Sequence, residues 1–381
     1  MINIRVSFLH PFTAKSIGFE ESHLLDSHSI PQVKALKIIQ DKKPEWKIIV
    51  EYFTGKPTIY SCFNLLKKIF YPISNTSKFG KWRSEVSLIH LLKNIFKSPD
   101  VTIINTSGHG GKHVFKLAKL LKFKNKKYFA MLGGVHLELT PQLENYYKKA
   151  SLIIVHTKLQ KNTLLCISFF KDKNIEVLPL GIDDSIFKEK PILVKNSTIK
   201  QLLYVGRISR LKQIEVAINS MVVLKSNNIE CRLNIVGPIS DLTYYDELKN
   251  LVIKLDLIDN VNFIGSVKQE QLVSFYQDAD VVLLPSKHES FGMVITEAMA
   301  CGTPVIALEG SGGPEEIILN GFDGLVVPIE NYSHTVLKLL TDQSLLKELS
   351  KNSLVSVKNK WSQNRTAEIL LGLINENAFY D

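Results

Sequence analysis

The sequence predicts an α/β protein built from two doubly wound domains, and three observations carry that reading. At 381 residues the chain exceeds one ordinary core and suits two domains of about 150 to 200 residues each. In its C-terminal half, short β-branched runs ending in Gly or Pro alternate strictly with segments of helical period. The N-terminal half repeats the alternation less cleanly. Such alternation gives parallel sheets covered by helices on both faces, and ligands bind beyond the carboxyl ends of the strands.

In chain order, strands are expected at "INIRVSFL" (2–9), "WKIIVEYF" (46–53), "VTIIN" (101–105), "KYFAML" (127–132), "SLIIVHT" (151–157) and "IEVLPL" (175–180). Helices are expected at "IPQVKALKIIQD" (30–41) and "HVFKLAKLLKF" (113–123). Polar residues, charges and a proline then interrupt the pattern at "GIDDSIFKEKPILVKNSTIK" (181–200), a domain boundary. Beyond it the strands are "QLLYVG" (201–206), "CRLNIVG" (231–237), "VNFIG" (261–265), "DVVLLPS" (280–286) and "TPVIAL" (303–308). The helices between them are "KQIEVAINSMVVLKSN", "YDELKNLVIKLDL", "KQEQLVSFYQDA" and "FGMVITEAMACG", and the tail is helical in period. No short repeat or low-complexity tract appears.

Composition is that of a soluble globular protein, with 45% hydrophobic, 22% charged and 9% aromatic residues. "TLLCISFF" (163–170) is among the longest apolar runs and falls far short of the roughly eighteen residues of a membrane span. "MINIRVSFLHPF" has no long apolar segment or small-residue cleavage site, so no signal peptide is expected. Cys62, Cys166, Cys231 and Cys301 lie far apart, without metal-ligand spacing, which points to a reduced, cytoplasmic setting. The net charge of +10 is uneven: residues 1–190 hold 30 Lys/Arg against 15 Asp/Glu, and the remainder 17 against 22. A basic half suits an anionic partner such as lipid head groups, a pyrophosphate-linked acceptor or nucleic acid; a lysine-rich solvated surface explains it equally well.

Three stretches could carry chemistry. In "PSKHESFGMVITEAMACGTPVIA" (285–307) a loop leads into a helix starting around Phe291, Gly292 and Met293. Free amide groups and the dipole at that start form an anion site, and Gly292 leaves room for a phosphate. Glu289 precedes this point and Glu297 lies about one turn into the helix. Both are of the type that accepts hydrogen bonds from sugar hydroxyls, although many surface helices show the same spacing. In "YVGRISRLKQIEVAI" (204–218), Arg207 follows the turn glycine Gly206 and Lys212 stands five residues on. Two cations at a helix start suit a diphosphate, and a solvated loop is the plain alternative. In "ALEGSGGPEEIILNGFDGLVVP" (307–328), Ser311, Gly312 and Gly313 repeat the anion-loop pattern before a short helix.

Together, "YVGRISRLK", "IVGPIS", "VNFIGSV", "DADVVLLPSKHESFGMVITEAMACGTPVIA" and "DGLVVP", with "VLPLGIDDSIF" (177–187) as the interdomain segment, resemble the retaining glycosyltransferases of family 4, the glycogen-synthase-like group with the GT-B fold. The resemblance covers roughly residues 170 to 345. It implies two Rossmann-like domains facing each other across a cleft: an acceptor-binding domain at 1–183, a linker at 184–199, and a nucleotide-sugar-binding domain at 200–364. A closing helix at 365–381 would pack back on the first. It further implies that Glu289 touches the donor sugar and Glu297 the nucleotide ribose. Arg207 and Lys212 would neutralise the donor diphosphate, completed by the loop at Ser290, Phe291, Gly292 and Met293 beside Gly206. No cofactor and no metal are expected, because the nucleotide sugar is a substrate and the two cations can serve its diphosphate.

The acceptor side matches the family less well. Where relatives carry a glycine-rich loop after the first strand, this chain reads "HPFTAKSIGFEESH" (10–23), with Gly18 its only glycine. Glu20 and His23 are acceptor-side candidates there. His136 in "FAMLGGVH" corresponds to the family's histidine near the donor sugar, with His109 in "NTSGHGGKH" its competitor. Basic stretches at 64–83 and 116–129 interleave lysines with apolar residues, which suits peripheral contact with an anionic membrane or, equally, helices packed on the sheet with lysines outward. "DAD" (278–280) feeds a buried strand and is not read as a metal site. The reading is therefore a glycosyltransferase acting on a glycan or lipid-linked acceptor. The alternative is a non-catalytic sugar-nucleotide-binding protein of the same fold. No nucleic-acid motif appears.

Overall fold

A computed structural model of the chain describes residues 3–17, 20–25, 31–63, 66–78, 80–106, 110–133, 139–189 and 198–379. The chain divides into two compact units: Met1–Gly181 with Gln363–Asp381, and Ile182–Ser362.

Unit 1 holds strands β1 (Arg5–Thr13), β2 (Lys47–Thr54), β3 (Tyr60–Phe63), β4 (Lys67–Pro72), β5 (Val101–Asn105), β6 (Lys127–Met131), β7 (Leu152–Val155) and β8 (Ile175–Val177). They form one sheet in the order β3-β4-β2-β1-β5-β6-β7-β8, parallel except for the β3–β4 hairpin. Side chains alternate across a strand, so the sheet feeds two cores. Val6 and Phe8 of β1 enter one, with Val33, Leu36 and Ile39 of helix Pro31–Lys42 and Leu370 and Ile374 of the closing helix Gln363–Phe379. Leu9 enters the other, with Val114, Leu117 and Leu121 of helix Lys112–Phe123.

Of the two basic stretches, the first does not form an amphipathic helix and the second does. Residues 64–83 contain strand β4 and two short 3-10 turns, Thr76–Lys78 and Trp82–Ser84. Lys68 is buried in β4, and its Nζ donates to the Leu24 carbonyl at 2.9 Å. Helix Lys112–Phe123 spends its apolar face on the core and leaves Lys116, Lys119 and Lys122 exposed, the ordinary packed alternative.

Unit 2 holds β9 (Lys200–Val205), β10 (Cys231–Val236), β11 (Val261–Gly265), β12 (Val281–Leu284), β13 (Val305–Leu308) and β14 (Leu325–Val327). They form an all-parallel sheet in the order β11-β10-β9-β12-β13-β14. The order reverses direction between β9 and β12, the switch point where doubly wound sheets open a crevice. Asp280 of "DAD" ties these two strands: its Oδ2 accepts from the Gln201 N–H at 2.8 Å. Residues 182–189 of the boundary segment belong to this unit, where Asp183 accepts from Ser185 N–H (3.1 Å) and Phe187 is buried against Tyr276. No described helix is long and apolar enough to cross a membrane.

Candidate functional site

The loops leaving β9 and β12 meet at the switch point. Glu289 is pinned through its backbone: its N–H donates to Ser311 O and its carbonyl accepts from Gly313 N–H, both at 2.8 Å. Its carboxylate accepts from Ser286 Oγ at 2.9 Å and pairs with Lys212. Lys212 ends a 3-10 turn, Arg210–Lys212, that a bond from Lys287 N–H to Leu211 O (2.9 Å) ties to the Glu289 loop. The two side chains are 14% and 15% exposed, so the pair is largely withdrawn from water yet reachable.

Helix Met293–Ala300 begins just beyond. Phe291 is buried edge-on against Trp361, with ring centroids 5.6 Å apart. Gly292 has φ +97°, and a Cβ there would stand 2.9 Å from Ile295 Cδ1. A side chain at this position is strained and crowded, which keeps the helix start open. The amides of Phe291, Gly292 and Met293 donate to no acceptor among the described residues. Unbonded amides at a helix start, with the helix dipole behind them, have the chemistry to accept an anion. Across from them, Gly237 packs its Cα against Gly206, where a Cβ would come within 2.0 Å of the Gly206 carbonyl. Arg207 follows Gly206; its carbonyl accepts from Tyr204 OH (3.1 Å) and its exposed guanidinium has no partner among the described residues. Arg210 instead forks onto Glu247 (2.8 Å).

Glu297 sits in the same helix, 8% exposed. Burial pushes its carboxyl up to about 7, against the opposing pull of the Tyr276 hydroxyl, which donates to Oε2 at 2.7 Å. Among the described residues Tyr276 is its only hydrogen-bond partner, leaving Oε1 able to accept.

The third anion loop of the sequence reading is already filled. Gly310 N–H and Gly312 N–H donate to the carboxylate of Glu315 at 3.0 and 3.3 Å, and Gly313 N–H is spent on Glu289. The chain supplies its own anion, so this loop positions Glu289 and offers no second phosphate cradle.

On the acceptor side, Gly18, His109 and His136 lie outside the described residues, as does the side chain of His23. Glu20 is exposed, with Ser22 Oγ at 3.4 Å. Sequence reasoning missed Glu85 and Glu21. Glu85 is buried and accepts from Thr13 N–H (2.9 Å), Thr13 Oγ1 (2.7 Å) and Gly80 N–H (2.9 Å), clamping the end of β1. Glu21 gathers Tyr60 OH (2.6 Å), Lys56 Nζ (2.8 Å) and Thr54 Oγ1. Glu85 stood as a lone carboxylate and Glu21 beside the candidate Glu20, and either becomes informative only once its partners are known.

Residues 185–354 match the family model described as glycosyl transferases group 1, as the motifs imply. A D-inositol 3-phosphate glycosyltransferase of Arthrobacter sp. is 35% identical over 162 residues, 40% of this chain and 38% of that protein. The chain spans less than half the length of the several D-inositol 3-phosphate glycosyltransferases it matches. Among solved structures, a glycosyltransferase from Rickettsia africae superposes with a TM-score of 0.77 over 100% of both chains at 18% identity. Anabaena HepE, in complex with UDP and glucose, does so with a TM-score of 0.70 over 98% of this chain and 100% of its own at 16% identity. The two Rossmann-like units are those of the GT-B fold.

Proposed function

We propose that this chain is a retaining glycosyltransferase of the family 4 type that moves a sugar from a nucleoside-diphosphate sugar to an acceptor hydroxyl. The observation that carries the reading is the Lys212–Glu289 pair beside the unsatisfied amides of Phe291, Gly292 and Met293, inside the segment matching glycosyl transferases group 1. A nucleotide sugar presents a diphosphate between a sugar and a ribose. The amide cradle, Lys212 and Arg207 take the diphosphate, Glu289 the sugar hydroxyls and Glu297 Oε1 the ribose. With no donor bound, Lys212 and Glu289 satisfy each other; the donor inserts between them, exchanging one buried ion pair for two ligand contacts.

As the glycosidic bond breaks, charge builds on the leaving diphosphate, and groups fixed in advance stabilise that charge more than they stabilise the ground state. Attack comes from the face the diphosphate leaves, with a phosphate oxygen taking the acceptor proton, so Glu289 orients and stabilises rather than forming a covalent bond. The cations serve the diphosphate without a metal. The acceptor is read as a glycan or lipid-linked glycan, approached through the basic N-terminal half in peripheral contact with an anionic membrane on its cytoplasmic side.

The test is a thermal-shift series with UDP, GDP, ADP, CDP and dTDP in EDTA on the wild type and Lys212→Ala, followed by determination of the product's anomeric configuration. A nucleotide at about 100 times its dissociation constant adds about 2.7 kcal/mol of stability. One nucleotide shifting the wild type and much less the variant supports the donor site; equal shifts in both refute the role of Lys212. The non-catalytic alternative draws on the Thr13–Glu85 clamp, which occupies the place of the family's glycine-rich loop. That reading expects nucleotide binding without donor turnover.

A further inference from the structure

One face of unit 1 carries a surface that the donor site does not use, along the helix that returns from the end of β4 to the start of β5. Helix Leu88–Phe96 there is inside out. His90 and Asn94 are buried, whereas Leu88, Leu92, Ile95 and Phe96 are 52%, 51%, 45% and 84% exposed. The inversion is held from beneath. Buried Glu51 of β2 gathers Lys93 Nζ (2.7 Å), Tyr71 OH (3.2 Å), His90 Nε2 (3.3 Å) and Ser7 Oγ. His90 Nδ1 lies 3.0 Å from His113 Nε2, and His113 Nδ1 accepts from Ser87 N–H at 3.3 Å. Rotating the helix to bury its leucines would strand every member of this network, so the apolar face outward is enforced.

Two further phenylalanines stand exposed where the strands start, the end that Phe96 reaches. Phe63 closes β3 opposite Lys67, and Phe123 ends the neighbouring helix; they are 73% and 90% exposed. Lys124 Nζ donates to the Ile95 carbonyl, tying that helix end to the inverted helix. Large apolar side chains exposed together in this number mark a contact site.

Cations adjoin it. A hollow of about 380 Å³ is lined by Arg5, Lys47, Lys67, Lys93, Lys97 and Trp46, among others. Glu51 matches Lys93, and Asp100 is shared by Arg5 (3.4 Å) and Lys126 (2.8 Å). Lys47 and Lys97 have no ion pair among the described residues, and Lys67 lies over the Phe63 ring at 5.2 Å.

We propose that this face of unit 1 seats on an anionic lipid bilayer. The inverted helix, Phe63 and Phe123 enter the interfacial layer, and the cationic hollow faces the lipid phosphates. Apolar side chains bordered by unmatched lysines complement a surface that is anionic at the head groups and apolar beneath them. A second copy of the chain is a poorer occupant, because it would bring the same lysines against themselves. The proposal rests on the reading of peripheral membrane contact and gives that contact a surface, separate from the carboxyl ends of the strands where an acceptor would bind.

The test is flotation of the full chain with vesicles of phosphatidylcholine alone and of equimolar phosphatidylcholine and phosphatidylglycerol. The wild type is expected to float with the mixed vesicles only, and less as salt is raised. Leu92→Glu with Phe96→Glu abolishes flotation, and Lys47→Glu with Lys97→Glu weakens it about tenfold or more. Cooperative thermal unfolding near the wild-type midpoint verifies that both variants fold. A wild type that stays unbound, or either double variant floating like the wild type, overturns the proposal. So does a dimer in sedimentation that Phe96→Glu dissociates while lipid is ignored, since the face then belongs to a second copy. The nucleotide thermal shift is measured in parallel, so a failed donor site and a failed membrane surface give different results.

Discussion

Glu51 in unit 1 and Glu297 in unit 2 are the same residue, both withdrawn from water, in opposite electrostatic states. For each, burial alone would raise the carboxyl. At Glu51, His90 and Lys93 outweigh burial and hold the group far below the usual carboxylate range. At Glu297 a single tyrosine hydroxyl offsets little, and the group stands at about 7. A buried carboxylate with all its lone pairs answered is a finished piece of structure. One with an oxygen unanswered is held ready for something that arrives later. By that measure the switch point of unit 2 is built for a ligand, and the centre of unit 1 is built to hold a helix in place.

Substitutions test this contrast, and the largest effect is expected at the site itself. Lys212→Ala and Glu289→Gln should each lower turnover by about several hundred-fold or more with the fold intact, measured as kcat and kcat/KM for donor consumption. Near-normal turnover in Lys212→Ala would remove the diphosphate role. On the closed side, Glu51→Gln should destabilise unit 1 by about 3 kcal/mol in urea unfolding, because Lys93 and the histidines lose their anion. Nucleotide affinity should be unchanged, and an affinity loss would break the division between the two glutamates.

The pH dependences should have opposite signs. Glu297 binds its proton more tightly folded than at its ordinary 4.5, so its ionisation costs stability as pH rises from about 4.5 to about 7. Glu297→Gln should flatten that decline. Glu51, depressed when folded, contributes stability above about 4.5 that is lost as pH falls into the acid range. Because a ribose diol is best accepted by the ionised form, nucleotide affinity should rise roughly tenfold between about pH 6 and pH 8 in the wild type and stay level in Glu297→Gln. A flat wild-type profile would detach Glu297 from the nucleotide. The smallest effect is expected for Gly292→Ala, about 1 kcal/mol of stability from its positive φ, with weaker nucleotide binding as the helix start closes. Unchanged binding would make the glycine a purely structural choice.

Unit 2 was the legible half. β12 and β13 are buried along their whole length and carry no polar residue to confuse the pattern, and β9, β10 and β11 run to Gly206, Gly237 and Gly265. The order of loops at the switch point followed, and with it the neighbourhood of Glu289, Lys212 and Gly292. The sequence could not show that Lys212 and Glu289 pair with each other, 77 positions apart, or that Glu315 fills the loop at 310–312. In unit 1, β3 and β4 were hidden by paired lysines, one of which is buried on backbone carbonyls of the short helix Glu21–Leu25, about forty residues earlier.

The helix Leu88–Phe96 went unread for the clearest physical reason. In "LIHLLKNIF" the apolar residues outnumber the polar ones, and any rule that turns the apolar face inward selects the wrong side. Its orientation is fixed by the hydrogen-bond demands of Glu51, which stands in another element about forty residues earlier. Local apolar burial depends on residues within a turn or a strand, so the sequence alone determined the alternating fold and the loops that converge. Satisfaction of buried charge depends on partners far along the chain, so only the tertiary structure decided which glutamate is closed, which is open, and which way that helix faces.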